Sequence, residues 1–369
     1  MNNCFLHPYT LMKTKLWGEK MKKYFVFGML FLILFVTGCS KGGEQDVIKD
    51  LDKKLGNAKA YQVQGKLEIT NNEDTYHYDV VASFKKDDQY RVSLKNTANN
   101  HEQIILKNTE GVYVLTPSLN KSFKFQSDWP YNTSQIYLLK SIVDDIKNDD
   151  QRNFVADDNG YVFTTTVNYP NNHNLVKQKV TFDKDLNIKQ VEVMNDADVP
   201  QMIMTFHSVD LNPTFDSKYF DLNQVMQTCD TCKQTDDNSS DENNTTGDAN
   251  NSKETSVLED IIFPLYLPSG TKLADQDKVT TTNGERVILT FDGEKPFLLV
   301  EETVDIPDEL SIIPTYGEPY FLIDTVGALS DNSISWTSGG IDYYMVSDVM
   351  SQQELVEVAR SISAIPTMK

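Results

Sequence analysis

The sequence has few cysteines and no long apolar run, and each shortage excludes a class of protein. Of its four cysteines, Cys4 and Cys39 lie near the amino end, and Cys229 and Cys232 form the only close pair. Zinc bound by cysteines needs two more ligands than that pair supplies. The apolar run at residues 24–37 is shorter than the roughly 20 residues of a membrane-spanning helix. A cysteine-ligated zinc domain and a membrane-spanning helix at this place are therefore not expected.

Positive charge is scarce too. The chain has 34 Lys and Arg against 54 Asp and Glu, which gives a net charge of −20. So acidic a protein is repelled by nucleic acid and by anionic lipid headgroups, so nucleic acid is excluded as a partner. Arginine is far rarer than lysine, and asparagine is abundant. That bias is typical of AT-rich genomes and indicates a low-GC Gram-positive bacterium.

Catalytic motifs are missing from the sequence as well. It contains no HExxH zinc motif, no G-x-S-x-G elbow and no phosphate-binding loop. Two of the scattered histidines, His77 and His207, fall in predicted strands and are typical of satisfied sheet residues. The others are His7, His101 and His173. The sequence thus predicts a protein that is not an enzyme and has no metal site.

What is present begins with a predicted signal peptide at residues 21–38. It starts Met-Lys-Lys, continues with the apolar run and ends in a pattern that resembles the bacterial lipobox, formed here by Val36, Thr37, Gly38 and Cys39. The resemblance implies diacylglycerol on the Cys39 thiol, cleavage before it, and a tether over 39–45 on the extracytoplasmic face of the cell membrane. The alternative is an uncleaved anchor helix. Residues 1–20 do not fit a signal peptide, so translation is expected to start at Met21.

The remainder divides into two domains and a linker. Residues 229–257 are predicted to be a disordered acidic linker, because this stretch has almost no apolar side chain. A calcium loop does not fit it, since the acidic ladder with its glycine and final glutamate is missing. The flanking domains, 46–228 and 258–369, are expected to be independent and to separate when a protease cuts the linker.

The domain at 46–228 is predicted to consist mainly of β-strands. Apolar and polar residues alternate in "YQVQGKLEI" and "TYHYDVVASF", and "NNED" and "KKDD" are turn signals. A helix over 136–146, with Ile136 and Leu139 on its apolar face, is expected to be capped by Asn132. The pattern predicts a large antiparallel sheet whose apolar face is covered by helices. The concavity under this lid is expected to be lined by Tyr61, Val63, Leu67 and Ile69.

The domain at 258–369 is predicted to be a smaller α+β domain. "TTTNGERVILTF" indicates a hairpin with a type I′ turn at Asn283-Gly284, and "SWTSGGIDYYMV" indicates another. Ser351 and Glu354 form a capping box at the start of a helix. The inner face of that helix is predicted to be Leu355, Val358, Ala359 and Ile362.

Two features allow more than one interpretation. Trp129, which precedes the predicted lid helix, is either an exposed anchor for a partner or a core residue that seats the lid. Cys229 and Cys232 fit four interpretations, namely a redox pair, half of a zinc site, a small disulfide and two free thiols. The acidic linker opposes a thiolate, and an oxidising compartment favours the disulfide.

The order of these segments resembles the LolA/LolB lipoprotein-sorting superfamily over most of 46–222. "EGVYVLTPSLNKSFKF" is similar to a central strand-turn-strand of that family, and "FDKDLNIKQVEVMN" with "MIMTFHSVDLNPTFDSKYFDL" to its closing strands. "SDWPYNTSQIYLLKSIVDDI" is closer to a Gram-positive branch of YdcC-like and GerS-like sporulation and germination lipoproteins. "FPLYLPSGTKL" and "SQQELVEVARSI" resemble a small C-terminal domain of unassigned function in Gram-positive lipoproteins. The resemblance implies an incomplete β-barrel with a helical lid over an apolar cavity, which in LolA takes acyl chains.

The leader and the resemblance together predict a non-catalytic, membrane-anchored envelope lipoprotein of sporulation or germination. Its binding partner is expected to be a protein, such as a cell-wall amidase docked as the GerS branch implies, or an acyl chain. The alternative is a lipid sensor like RseB, which also joins a LolA-like domain to a smaller one and controls an anti-sigma factor. No cofactor is expected beyond the covalent diacylglycerol at Cys39.

Overall fold

The structure is a computed structural model that describes residues 43–71, 74–228, 258, 261–281 and 284–363. The lipobox with Cys39, the pair Cys229 and Cys232, and the predicted linker lie outside the described residues. Predictions about those positions are therefore neither supported nor opposed by the fold.

The first part of the chain contains eleven strands and three α-helices within its described residues. Helix α1 spans Glu44–Leu51 and runs into a π-turn at Asp52–Gly56. The strands before the next helix are β1 Ala60–Asn71, β2 Asp74–Lys85, β3 Gln89–Asn96, β4 Glu102–Asn108, β5 Gly111–Thr116 and β6 Lys121–Phe125. Helix α2 spans Leu139–Asn148, and the strands that follow it are β7 Asn153–Ala156, β8 Gly160–Thr166, β9 Lys177–Asp183, β10 Ile188–Met194 and β11 Pro200–Asp210. A short helix, α3, ends this part at Leu222–Gln227.

The second part contains eight strands and one helix within its described residues. The strands are β12 Thr271–Thr280, β13 Glu285–Gly293, β14 Phe297–Thr303, β15 Ser311–Thr315, β16 Glu318–Phe321, β17 Val326–Leu329, β18 Ser333–Ser338 and β19 Ile341–Val346. Helix α4 spans Gln352–Ser363.

Twelve strands form the first sheet, in the order β15-β6-β5-β4-β3-β2-β1-β11-β10-β9-β8-β7. Its eleven strands from the first part pair antiparallel, and its two ends are not joined to each other. The predicted mainly β fold, with an open antiparallel sheet and a second sheet domain, is therefore confirmed.

A bulge bends the long strand β1 at Gly65. The register with β11 shifts between Gln64 and Gly65, where a side chain could not fit, since a Cβ at Gly65 would lie 2.2 Å from the carbonyl oxygen of Thr205. Bulges of this kind increase local twist and curvature in a sheet.

Both faces of the sheet are covered at β4 and β5, which differs from the predicted single apolar face. One face packs Ile104, Leu106, Tyr113 and Leu115 against Phe220 and the apolar side chains of α3. The opposite face, called the cavity face here, carries Leu67, Ile69 and Ile105. The consecutive apolar residues of "IIL" and "VYVL" were the signal for strands buried on both sides.

The lid helix α2 begins later than predicted, and Asn132 does not cap it. Its N-cap is Leu138, whose apolar side chain cannot accept a hydrogen bond from the helix. Ile136 lies in the turn before the helix. Instead, the Ser141 hydroxyl inside the first turn accepts a hydrogen bond from the backbone N–H of Gln135, at 2.9 Å. The preceding loop is thus tied to the helix by a residue within it.

The second sheet has seven strands in the order β12-β13-β14-β19-β18-β17-β16. The hairpin between β18 and β19 turns at Gly339 and Gly340, with φ of 59° and 80°, the positive values that a type I′ turn requires at both positions. The other predicted turn includes Asn283, outside the described residues. Helix α4 covers one face of the sheet, and its four predicted inner residues are buried.

The predicted capping box at α4 is confirmed. The backbone N–H of Ser351 donates to a Glu354 carboxylate oxygen at 2.8 Å, and the backbone N–H of Glu354 donates to the Ser351 hydroxyl at 3.3 Å. The same carboxylate forms an ion pair with Lys295 at 3.0 Å, which links the start of the helix to the sheet.

Strand β15 joins the two parts. It lies between β14 and β16 in sequence, yet it pairs parallel with β6 of the first sheet, from Ser311 opposite Lys121 to Thr315 opposite Phe125. Residues 48–369 accordingly form one compact unit. The expectation that the two domains are independent does not match this pairing, because backbone hydrogen bonds between them must break before they separate.

Candidate functional site

A cavity of about 220 Å³ lies on the cavity face of the first sheet. Its floor is formed by Leu67 and Ile69 of β1 and Ile105 of β4, as the alternation in these strands predicted for the first two. Tyr61 and Val63, which were predicted to line it, are buried but lie outside its wall. Strand β11 contributes Met202, and the loop after β8 contributes Tyr169 and Leu175.

The loop before α2 forms one side of the cavity. Trp129 is buried there, with its indole edge-on to Tyr90 at 5.8 Å, and its carbonyl accepts a hydrogen bond from Lys107 Nζ at 2.7 Å. Ile136 lines the cavity, whereas Leu139 is fully buried outside its wall. The structure therefore places Trp129 in the interior and not on a surface that a partner would touch.

The second part of the chain closes the cavity from the other side. Strand β16 supplies Glu318, Tyr320 and Phe321, β17 supplies Val326, and α4 supplies Arg360. Sequence reasoning missed all five, because nothing in their local pattern indicates that they face the other domain. One unusual feature was visible, namely that Arg360 is among only four arginines in the chain.

Buried hydrogen bonds hold this wall in place. The Gln103 side chain in β4 accepts from the Val326 N–H at 2.6 Å and from the Thr325 hydroxyl at 3.2 Å. Tyr78 in β2 donates its hydroxyl proton to the Ile323 carbonyl at 2.5 Å. Burial makes such bonds costly to break, since an orphaned buried polar group loses its solvation without compensation. The position of β16 and β17 over the cavity is therefore specific.

The lid helix carries one carboxyl with an altered pKa. Burial raises the pKa of Asp145 to about 6, even though hydrogen bonds from Ser134 and Gln178 oppose that effect. The Gln178 amide lies 2.9 Å from the Asp145 carboxylate. Tyr137 and Tyr169 near the cavity have pKa values raised by burial, so their hydroxyls stay protonated.

A short apolar segment stands out on the surface of the second part. Within residues 261–267, Ile261, Ile262 and Leu267 pack on the core beneath. Between them Leu265 is 74% exposed, and Phe263 and Tyr266 are exposed as well, whereas Pro264 is buried. Exposed apolar patches of this kind are typical of surfaces that contact other proteins.

The described residues offer little for catalysis. Within them no group of three or more His, Cys, Asp or Glu side chains is arranged to hold a metal ion. Burial lowers the pKa of His101. Among the same residues, no helix has the length and apolar character needed to cross a membrane.

The two sheets define a mainly β protein with a cavity that is lined by both parts of the chain. The chain is 38% identical over 348 residues to the sporulation protein YdcC of Bacillus subtilis strain 168, which covers 93% of this chain and 98% of the relative. The chain therefore belongs to the family of the sporulation protein YdcC. This confirms the resemblance to that Gram-positive branch. No family model matches the chain.

Solved structures match the chain at low identity and with low TM-scores. The complex of MucA and MucB from Pseudomonas aeruginosa contains a chain 13% identical, with 86% of this chain and 97% of that chain covered and a TM-score of 0.30. A chain in the complex of the CwlD amidase with the GerS lipoprotein from Clostridioides difficile is 16% identical, with 48% and 98% covered and a TM-score of 0.20. A LolA superfamily protein from Nitrosomonas europaea is 13% identical, with 47% and 96% covered and a TM-score of 0.27. At these TM-scores the likeness supports no conclusion about function.

Proposed function

We propose that the protein is a non-catalytic, membrane-anchored envelope lipoprotein that binds a protein partner during sporulation. The observation that carries this proposal is the 38% identity to the sporulation protein YdcC along 93% of the chain. The lipobox ending at Cys39 supports the anchor, since two acyl chains on one cysteine hold a protein stably on a bilayer. The partner that the GerS-like resemblance implies is a cell-wall amidase.

The exposed segment at residues 263–266 supports the idea of a protein partner. Its side chains are presented by a backbone fixed to the core through Ile262, whose N–H donates to Glu301 at 3.1 Å. An apolar surface held rigidly loses little conformational entropy on binding, which favours association. Leu265 is its most exposed residue and therefore the best position at which to test it.

The experiment expresses the tagged chain in sporulating cells as wild type, Cys39→Ala, Leu265→Ser and Val155→Ser. Val155 is the matched control, because it is an exposed apolar residue on the edge strand β7, far along the other sheet. Palmitate labelling should be lost only in Cys39→Ala, which should also stay uncleaved. A protein identified by mass spectrometry should co-purify with wild type and Val155→Ser and be depleted at least about tenfold with Leu265→Ser.

Two results would contradict the proposal. Normal processing and labelling of Cys39→Ala would contradict the lipid anchor at Cys39. Equal recovery of every co-purified protein with Leu265→Ser and Val155→Ser would contradict the role of residues 263–266 in binding a partner.

A second candidate function is supported by the cavity. Leu67, Ile69 and Ile136 give it an apolar wall, and its volume of about 220 Å³ lies below the 300–1,000 Å³ typical of drug-sized ligand sites. Such a space suits a single apolar chain and not a whole phospholipid. Under this function the protein is a lipid-binding sensor, the alternative that the RseB-like arrangement of domains implies.

A further inference from the structure

Among the residues that the structure describes, Arg360 is the only cationic side chain in the wall of the cavity, and it comes from the second part of the chain. It lies in α4, whose other face packs on the second sheet through Leu355, Val358 and Ile362. The helix thus uses one face for its own core and presents Arg360 to the cavity of the first sheet.

The guanidinium of Arg360 lacks a partner within the described part of the chain. Its Nε is buried and makes no hydrogen bond, while the side chain as a whole is partly buried; among the described residues Arg360 forms no ion pair. A buried cationic donor without an acceptor is costly, because burial removes its water. The other three arginines all have partners; for example, Arg286 pairs with Glu302 at 2.8 Å.

The surroundings of Arg360 do not neutralise it. Within the described part of the wall the one carboxylate is that of Glu318, which accepts a hydrogen bond from the Ser127 hydroxyl and does not pair with Arg360. Burial raises the pKa of Tyr320, although the charge of Arg360 works in the opposite direction. The Tyr320 hydroxyl therefore stays protonated.

The rest of the described wall carries no charge and consists of apolar side chains, hydroxyls such as those of Thr133, Tyr137 and Tyr169, and amides. The amide side chains are those of Asn71, Asn132, Gln135, Asn171, Asn172, Asn174 and Gln201. Amides and hydroxyls supply hydrogen bonds without charge, so Arg360 and Glu318 are the charged groups of the described wall, and Arg360 is the one that can pair with an anion. A guanidinium binds carboxylate or phosphate oxygens in a bidentate fork.

We propose that the cavity takes a single-chain anionic amphiphile, with the apolar chain against Leu67, Ile69 and Ile136 and the anionic head on Arg360. The proposal rests on the second candidate function, the binding of an apolar chain, and adds the recognition of charge. Arg360 is thereby a specificity residue that the second domain contributes to the site of the first.

The experiment measures binding of probes of equal chain length to the full mature protein by calorimetry. The probes are dodecanoate, dodecyl phosphate, dodecanol and dodecylammonium, each below its micellar concentration. Wild type should bind at least one of the two anions about tenfold or more tightly than dodecanol, and dodecylammonium more weakly than dodecanol. The two anions distinguish a carboxylate head from a phosphate head.

The variants isolate the contribution of the charge. Arg360→Gln should lose the preference for anions and keep the affinity for dodecanol, and Arg360→Lys should restore part of the preference. Arg286→Gln is the matched control, because Arg286 pairs with Glu302 on the outer face of the second sheet, and it should behave as wild type. Thermal melts of all variants check that the fold is retained.

Each negative result contradicts a different part of the proposal. If dodecanol and the anions bind equally well, or if Arg360→Gln keeps the preference for anions, the recognition of charge is wrong while the binding of an apolar chain stands. If no probe binds wild type, both the lipid-binding function and this inference are overturned. Neither result affects the proposal of a protein partner, which the co-purification tests separately.

Discussion

Glu301 lies on the inner face of the second sheet, paired in register with Val287 on one side and Tyr343 on the other. It is fully buried, and one of its carboxylate oxygens has no hydrogen-bond partner among the described residues, while the other accepts from the Ile262 N–H. Burial raises the pKa of Glu301 to about 7, and the hydrogen bond from Ile262 opposes that effect. The folded protein therefore keeps this carboxyl protonated over a wider pH range than the unfolded chain does.

The first prediction concerns Glu301→Gln. Because the folded pKa is raised from 4.5 to about 7, the stability that Glu301 contributes is present below pH 4.5 and is lost as the pH rises through 7. The variant should match wild type at pH 4.5 and exceed it by up to about 3 kcal/mol at pH 8.5, since one pKa unit is about 1.4 kcal/mol. Urea unfolding at the two pH values measures the gap.

The control for this prediction is the neighbouring Glu302→Gln. Glu302 points to the outer face and forms a partly exposed ion pair with Arg286, so its loss should change stability by less than about 1 kcal/mol. A gap between Glu301→Gln and wild type that is the same at both pH values would show that the carboxyl is charged in the folded protein.

At the scale of the element, helix α4 depends on its capping box. Ser351→Ala removes the hydroxyl that accepts from the Glu354 N–H, and the helix start then has one more unsatisfied donor. The variant should lose about 1 kcal/mol of unfolding free energy, measured by denaturant unfolding.

Ser361→Ala is the matched control for the cap. The Ser361 hydroxyl donates to the Val358 carbonyl within the helix, at 2.7 Å, and takes no part in the cap. Its loss should change stability by less than about 0.5 kcal/mol, as is usual for helix residues away from a cap or core. An equal loss of unfolding free energy in both variants would contradict a stabilising role of the capping box.

At the scale of the whole molecule, Gln103 couples the two domains. Gln103→Leu leaves the Val326 N–H buried without an acceptor, which costs about 1–3 kcal/mol. In wild type, the two domains should unfold together in a single transition. In the variant, the second domain should melt at a lower temperature than the first. A chain without the predicted leader offers natural probes, since its tryptophans are Trp129 in the first domain and Trp336 in the second.

Fluorescence melts of Trp129→Phe and Trp336→Phe, each with and without Gln103→Leu, report on one domain at a time. The matched control is Gln62→Leu, because Gln62 lies in the same sheet but bonds only to Ser83 and Tyr219 within the first domain. It should lower the stability of both domains together. Two separate transitions in wild type would show that the domains are independent and would contradict the coupling through β15 and Gln103.

The sequence by itself determined the features that depend on neighbours within a few residues. The alternation in β1 and β2, the type I′ hairpin at Gly339-Gly340 and the capping box at Ser351 could all be predicted, because periodicity and turn chemistry act locally. The family resemblance was visible for the same reason, since it rests on the order of such segments.

Only the tertiary structure decided where the two halves of the chain meet. The pairing of β15 with β6, the burial of Trp129 and the position of Arg360 at the cavity each join residues that are distant in sequence. The raised pKa of Glu301 depends on burial beneath the segment that contains Ile262. No local pattern encodes such contacts, because the free energy of a buried charge or an added strand is set by whatever the fold brings against it.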